Sequence, residues 1–342
     1  MTLKDLGNKV LKDAANIKIA VIGDFCLDKY LYIDERLDEP SIETGETAYQ
    51  VIGKGIYPGG AGTVANNLRA LTAQVICIGV TGDDGEGYEL NSALKKIGAN
   101  TDLMITDPNR CTSTYTKPMK GIPDQKNYRE LNRLDFKNFA PMSKETETKV
   151  IENLEKAAKE VNAIIVLDQF VEENCGVINA NVRTALMKIA KKNANLIIYA
   201  DSRAFIHLFK NVIVKCNNFE VVKSVNPSYE GEPDENAVLE YGAKLYELNK
   251  KPVFVTMGSK GIRVFDNNGM EFSEAYEITG PIDICGAGDA ATSGIVLGLA
   301  LGAQAEIAAG LGNTVASITI QQIGVTGTAT PAQVISRINE KV

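Results

Sequence analysis

The chain has 342 residues, 44% of them hydrophobic and 23% charged, with 30 Gly and 11 Pro, a composition that excludes a collagenous, disordered or disulfide-stapled protein. With 36 Lys and Arg against 43 Asp and Glu the net charge is −7, which excludes a general nucleic-acid binder, because such a protein needs a cationic surface to displace phosphate counterions.

The N-terminal segment, Met1 to Asn16, is too charged for a secretory signal and carries acids that a mitochondrial presequence avoids, so the expected location is the cytoplasm. Short β-branched runs follow at Ile17 to Ile22, Val75 to Val80, Ala163 to Leu167, Leu196 to Ala200, Val212 to Lys215 and Pro252 to Thr256. Between them lie amphipathic stretches such as Ser143 to Val161, with Val150, Ile151, Leu154, Ala158 and Val161 on one face, and Ile178 to Lys191. That alternation predicts an α/β fold whose mostly parallel sheet is covered on both faces through right-handed crossovers. Two regions break it. Asp28 to Tyr57 and Cys111 to Leu134 carry Tyr, Thr and Ile among charges without helical period, and read as strands of an accessory sheet; Pro40, Pro118 and Pro123 leave surface loops as the alternative. From Ala290 to Ser336 the only charged residue is Glu306, but Gly, Thr, Ser, Asn and Gln interrupt the run, so two buried helices are expected, about Ala287 to Leu301 and Gln304 to Ile320, rather than a membrane span.

One histidine, His207, and six cysteines without a CxxC pair argue against a zinc site or a histidine-based triad; His207 reads as a surface or capping residue. The informative segment is Asp283-Ile-Cys-Gly-Ala-Gly-Asp289, which opens an uncharged helix. Glycines let the backbone turn tightly and approach a ligand, and a helix N-terminus aims free N–H groups at an anion, for which a phosphate is the natural occupant. Asp289 then sits beside that anion, a costly place for a carboxylate unless it removes a proton; the alternative is an ordinary acid in a first helical turn. The same stretch fits the loose pattern G-x-G-x-x-A, but it lies near the C-terminus and the next acid, Glu306, is on a helical pattern, contrary to a dinucleotide fingerprint. There is no G-x-x-x-x-G-K-[ST] loop, which excludes a P-loop kinase.

Five elements occur in one order: Gly23-Asp24 with Asp28, Pro58-Gly-Gly-Ala-Gly62, Asn217-x-x-Glu220, Thr256-Met-Gly-Ser-Lys-Gly261 and Asp283 to Asp289. In these the chain resembles the ribokinase, or PfkB, carbohydrate kinase family from Ile17 to Ile338. The resemblance implies a ribokinase-like three-layer sandwich, one domain over 1–342, with a mostly parallel central sheet and a small protruding β lid at about 28–57 and 111–134. It implies Asp289 as the base that deprotonates the acceptor hydroxyl, and Gly286, Ala287 and Gly288 as the anion hole. Asn217 and Glu220 would help place Mg2+ and the phosphates of ATP, through water; Thr256, Gly258, Gly261 and Asn313 would hold the nucleotide. Asp28, Gly59, Gly60 and Thr63 would hold the acceptor, and Asp283 would lie beside a monovalent cation such as K+. Without the family, Asn217 and Glu220 are turn and helix-start residues, and Gly258 and Gly261 make a hairpin between VFVTM and IRVF.

Within that family the chain is most similar to heptose-7-phosphate kinases, the kinase half of bifunctional ADP-heptose synthases, through GDFCLDKY, PGGAGTVANNLRAL, Asn132 to Phe136 and Cys216-Asn-Asn-Phe-Glu220. A chain ending at Val342 is expected to lack the nucleotidyltransferase half. Arg133 and Arg203 are candidates to meet a phosphate already on the acceptor. The subgroup's Asn, its Asp-Tyr-x-Lys-Gly and its anion-hole Thr are replaced by Thr63, Asp168-Gln-Phe-Val-Glu and Cys285. The expected activity is ATP-dependent phosphorylation of a hydroxyl on a sugar or sugar phosphate. Alternatives are a kinase of a nucleoside or other small alcohol, which Tyr30, Tyr32, Tyr49 and Tyr57 could stack, a non-catalytic sensor on the same fold, and a nicotinamide dehydrogenase. The lid strands are expected to pair into a homodimer, no sequence-adjacent helix being available to cover them.

Overall fold

In the first strand, Lys18–Gly23, Ile19 and Val21 face one core and Ala20 and Ile22 the other. A strand buried on both faces must be apolar at every position, which is why the run lacks polar alternation. The computed structural model describes residues 1–125 and 127–340; Lys126, inside the second lid segment, and Lys341 and Val342 lie outside the described residues. The main sheet has eight strands in the order Gly269–Ser273, Ile262–Asp266, Val253–Thr256, Ile213–Asn217, Ile197–Ser202, Ala163–Asp168, Lys18–Gly23 and Gln74–Ile78. The six from Val253–Thr256 to Gln74–Ile78 run parallel, and two antiparallel strands finish the other edge.

Helices Leu3–Asp13, Ala61–Ala70, Ala287–Ala300, Ala305–Thr319 and Pro331–Glu340 contribute to one core, and Lys144–Ala157, Ala180–Lys192, Asn218–Val225 and Glu235–Asn249 to the other. Helix starts follow their capping residues: Ser143, Asn179 and Asp234 accept backbone N–H groups of the turns they open. The two uncharged helices form where expected, at Ala287–Ala300 and Ala305–Thr319. They cross at backbone contact, since a Cβ on Gly294 would lie 2.8 Å from the Leu311 carbonyl oxygen. Among the described residues no helix is long and apolar enough to cross a membrane.

Two strand expectations shift. The run Val75 to Val80 breaks at Gly79, where the chain passes so close to Phe25 that a Cβ would lie 2.5 Å from its ring; Val80–Gly82 then pairs with Ile105–Asp107 instead. The strand expected at Leu196 to Ala200 runs on as Ile197–Ser202, which carries Asp201 to the sheet's end.

The two irregular regions do make one accessory sheet. Phe25–Asp34 pairs antiparallel with Val51–Gly60 and parallel with Thr114–Gly121, which also pairs with Arg129–Glu130 and Leu134–Phe136. Helix Gly85–Lys96 packs against the sheet, where Lys29 meets Glu86 at 3.0 Å and Glu89 at 3.1 Å and Lys54 also pairs with Glu89. A helix that is not adjacent in sequence to either lid segment therefore covers the lid at this anchored end.

Candidate active site

Strand register assembles the site at the carboxyl end of the parallel strands, where open α/β sheets bind ligands. Asp168 lies opposite Ser202, Asp201 opposite Lys215, and Asn217 opposite Thr256. Asp24, just past the first strand, is buried, and its two carboxylate oxygens accept the N–H groups of Gln169 at 2.8 Å and Val177 at 2.7 Å. This latch fixes the loop after Asp168, and the Asp24 carbonyl accepts the Ala61 N–H at the start of the next helix. In the lid, Asp28 is paired in register with both Tyr57 and Tyr115, and Tyr115 with Asp135, so these side chains share one face.

That face, the glycine-rich turn and the strand ends enclose a cavity of about 290 Å³. The lid lines it with Cys26, Asp28, Tyr115, Lys117, Arg133 and Lys137, and the body with Gly60, Thr63, Gln169, Arg203, Cys285, Gly286, Asp289 and Thr326. A larger cavity, about 980 Å³, is elsewhere, between helix Glu235–Asn249 and the hairpin around Asn267, with Leu239, Phe265 and Met270 in its wall. It contains none of the motif residues, so chemistry rather than size identifies the site.

Gly286 adopts φ +77° and leads the helix in without a side-chain cap. The N–H groups of Gly286 and Gly288 have no acceptor among the described residues, which leaves them available to an anion. Ala287 differs from expectation: its N–H bonds to the Ile284 carbonyl at 3.1 Å and so belongs to the turn. Behind the turn, the buried Lys215 donates to Asp201 at 2.8 Å, and its Nζ would lie 3.2 Å from a Cβ on Gly288. Burial alone would lower the Lys215 pKa, but Asp201 and Glu220 hold it above its ordinary value. Burial pushes the Asp289 carboxyl up to about 7, helped by Asp201 and opposed by Lys215 and Arg203. Glu220 is also raised, first by burial, against the pull of Lys215.

The pfkB family carbohydrate kinase model matches residues 16–333. The chain belongs to that family. It is a phosphotransferase of the carbohydrate kinase class. It is 26% identical over 335 residues to "Bifunctional protein HldE" of Trichlorobacter lovleyi, covering 95% of this chain and 64% of that protein. It is 29% identical over 322 residues to the protein of the same description in Hyphomonas neptunium, covering 94% of this chain and 63% of that protein. The kinase thus spans less than two thirds of these relatives. Among solved structures it is similar to Arabidopsis thaliana ribokinase complexed with ribose and ATP, with TM-score 0.67, 17% identity and coverage of 94% and 98% of the two chains. Escherichia coli phosphofructokinase-2 in complex with potassium gives TM-score 0.70, 15% identity and 95% and 99% coverage. These likenesses establish the ribokinase-like fold.

The kinase brings Asp28, Gly60, Thr63, Arg133, Gly286 and Asp289 into one cavity. Gly59 lies directly beneath Asp28, where a Cβ would come 2.5 Å from a carboxylate oxygen. The Thr63 hydroxyl turns to the Pro58 carbonyl at 3.4 Å. Asn217 and Glu220 form a capping box, as the reading without the family has it: the Asn217 side-chain oxygen accepts from Phe219 and Glu220, and Glu220 Oε2 accepts the Asn217 N–H at 2.7 Å. Thr256 stands beside Asn217, and Gly258 and Gly261, at φ +58° and +100°, make the hairpin to Ile262–Asp266. Asn313 is buried and donates to the Ser273 and Glu274 carbonyls, so its amide shapes a wall. Both Asp283 carboxylate oxygens accept backbone N–H groups, from Cys285 at 3.0 Å and Gly324 at 3.1 Å, tying two loops together. His207 is exposed and outside the cavity. Lys117, Lys137, Lys215 and Thr326 were not singled out by sequence; a lysine inside the otherwise buried strand Ile213–Asn217 was the available signal.

Proposed function

We propose that this kinase transfers the γ-phosphoryl group of ATP to a hydroxyl of a sugar or sugar phosphate, with Asp289 as the base. The observation that carries the reading is Asp289 in the cavity wall, one turn into a helix whose leading N–H groups, those of Gly286 and Gly288, are free. An acceptor hydroxyl beside Asp28 and Gly60 gives its proton to Asp289 as its oxygen bonds to the γ-phosphorus, and the bond to the β–γ bridging oxygen breaks. Charge on the transferring group meets the two N–H groups, the helix N-terminus and Lys215 behind them. A ribokinase with ribose and ATP among the structural neighbours supports this donor and acceptor class.

Mg2+ fits through water. Among the described residues no group of three His, Cys, Asp or Glu could hold a metal, the Asn217 side-chain oxygen is already in the cap, and Glu220 Oε1 is the oxygen left for a hydrated ion. Bound there with the nucleotide, it would neutralise phosphate charge. A K+ site fits less well, because both oxygens of Asp283 are engaged by backbone, and no step is routed through it.

Asp289→Asn keeps the side chain's shape and removes the base. Turnover should fall by about 10²- to 10⁴-fold or more, with ATP affinity, measured by calorimetry, nearly unchanged. Near-normal ADP release from the variant would refute the assignment.

A further inference from the structure

We infer that Arg203, rather than Arg133, recognises a negative charge on the acceptor, and that the acceptor is a sugar phosphate; the inference rests on the kinase reading above. Four cations, Lys117, Arg133, Lys137 and Arg203, line the cavity against two carboxylates, Asp28 and Asp289, in a chain of net charge −7. Cations gathered in a partly enclosed site attract an anion more strongly than the same charges on open surface, because the surrounding dielectric is lower.

Three of the four are already engaged. Lys117 lies 3.2 Å from Asp28 Oδ1 and donates to the Tyr30 hydroxyl at 3.0 Å. Arg133 Nε and Nη2 donate to the two oxygens of Asp135, both at 2.7 Å, and its guanidinium stacks 4.8 Å from the Tyr115 ring centre. This follows from strand geometry, since residues two apart share a face and Asp135 stands opposite Tyr115. The fork of Arg133 is therefore filled by its own strand. Lys137 has a looser partner, Glu172 at 3.9 Å.

Arg203 differs. Its side chain donates to the neutral amide oxygen of Gln169, at 3.3 Å, and although its charge acts on Asp289, no carboxylate lies in ion-pair contact with it among the described residues. Its backbone is fixed, with its N–H bonded to the Asp168 carbonyl at 3.0 Å and the neighbouring Ser202 hydroxyl bonded to the Asp168 carboxylate at 2.8 Å. An open guanidinium on a firm base matches the paired oxygens of a phosphate. With the loosely held Lys137 it supplies two positive charges, which suits a phosphate dianion better than a carboxylate.

The test measures ADP release over pentoses, hexoses and heptoses, their terminal phosphates and the matching sugar acids. A sugar phosphate should exceed its neutral parent in kcat/KM by about 100-fold, on the scale of one or two charge-assisted contacts. Arg203→Met should raise KM for that phosphate by about 10- to 100-fold and move KM for ATP little, whereas Arg133→Met should cost only about 3-fold. Arg203→Lys, which keeps the charge and loses the fork, should fall between wild type and Arg203→Met; circular dichroism on all variants separates misfolding from lost recognition. Preference for a neutral sugar or a sugar acid, a larger loss in Arg133→Met than in Arg203→Met, or a raised KM for ATP would each overturn the inference while leaving the kinase reading intact. No turnover of any acceptor, neutral or charged, would instead count against the kinase reading.

Discussion

Burial pushes the Asp289 carboxyl up to about 7, so the proposed base is only half ionised near neutral pH. The ionised form is the one that accepts a proton. The logarithm of kcat/KM should therefore rise with pH with a slope of about one below pH 7 and level off above it. A profile already flat from pH 5 would show that some other group, or none, takes the proton. Asp289 was legible in the sequence because its chemistry is local: glycines, a helix start and an acid occur within seven positions. Its partners were less legible. Asp201, Lys215 and Glu220 reach it only through strand register and a helix cap, and Asp28 meets Lys117 through a pairing across 89 positions of chain. The separation of Arg133 from Arg203 was not legible either, because it depends on which carboxylate each guanidinium finds.

The short helix Asn218–Val225 presents two roles in one motif, and substitution can separate them. Asn217→Ala removes the acceptor for two backbone N–H groups and should cost about 1 kcal/mol, a fall of about 2 °C in Tm for a chain of this size. Glu220→Gln keeps an oxygen for the Asn217 N–H but removes the charge, so Tm should hardly change while the Mg2+ concentration for half-maximal rate rises several-fold. Calorimetry alongside a magnesium titration distinguishes them. If Glu220→Gln leaves the magnesium dependence untouched, the motif is a helix cap alone. At this scale most elements followed from periodicity and caps, as in Lys144–Ala157 behind Ser143 and the two uncharged helices. The break at Gly79 did not, because it comes from the approach of Phe25, a tertiary contact that a β-branched run conceals.

Beyond the end anchored on Gly85–Lys96, the lid leaves Tyr49, Val51, Ile52, Leu134 and Phe136 exposed, Phe136 at 51%. Leu134 and Phe136 alternate with Arg133 and Asp135 and so face away from the cavity. We propose that a second copy covers this surface. Sedimentation at micromolar concentration should show two subunits, and Ile52→Asp or Phe136→Asp should give monomers with a raised acceptor KM. Ile56 is a poor place for such a change, because it packs against the main core. A fully active wild-type monomer would remove the dimer from the account. The layered α/β architecture itself was legible from strand–helix alternation, whereas the lid's strand order was not, since it joins segments from 25 to 136 across helices and a loop. The cationic cavity within an acidic protein also governs how its ligands arrive. At long range an approaching nucleotide is repelled by the net charge of −7, and only within about a Debye length, near 8 Å at physiological salt, does the cluster of lysines and arginines take over. Added salt weakens both fields, so capture becomes a short-range event, decided at the mouth of the site and little helped by steering from afar.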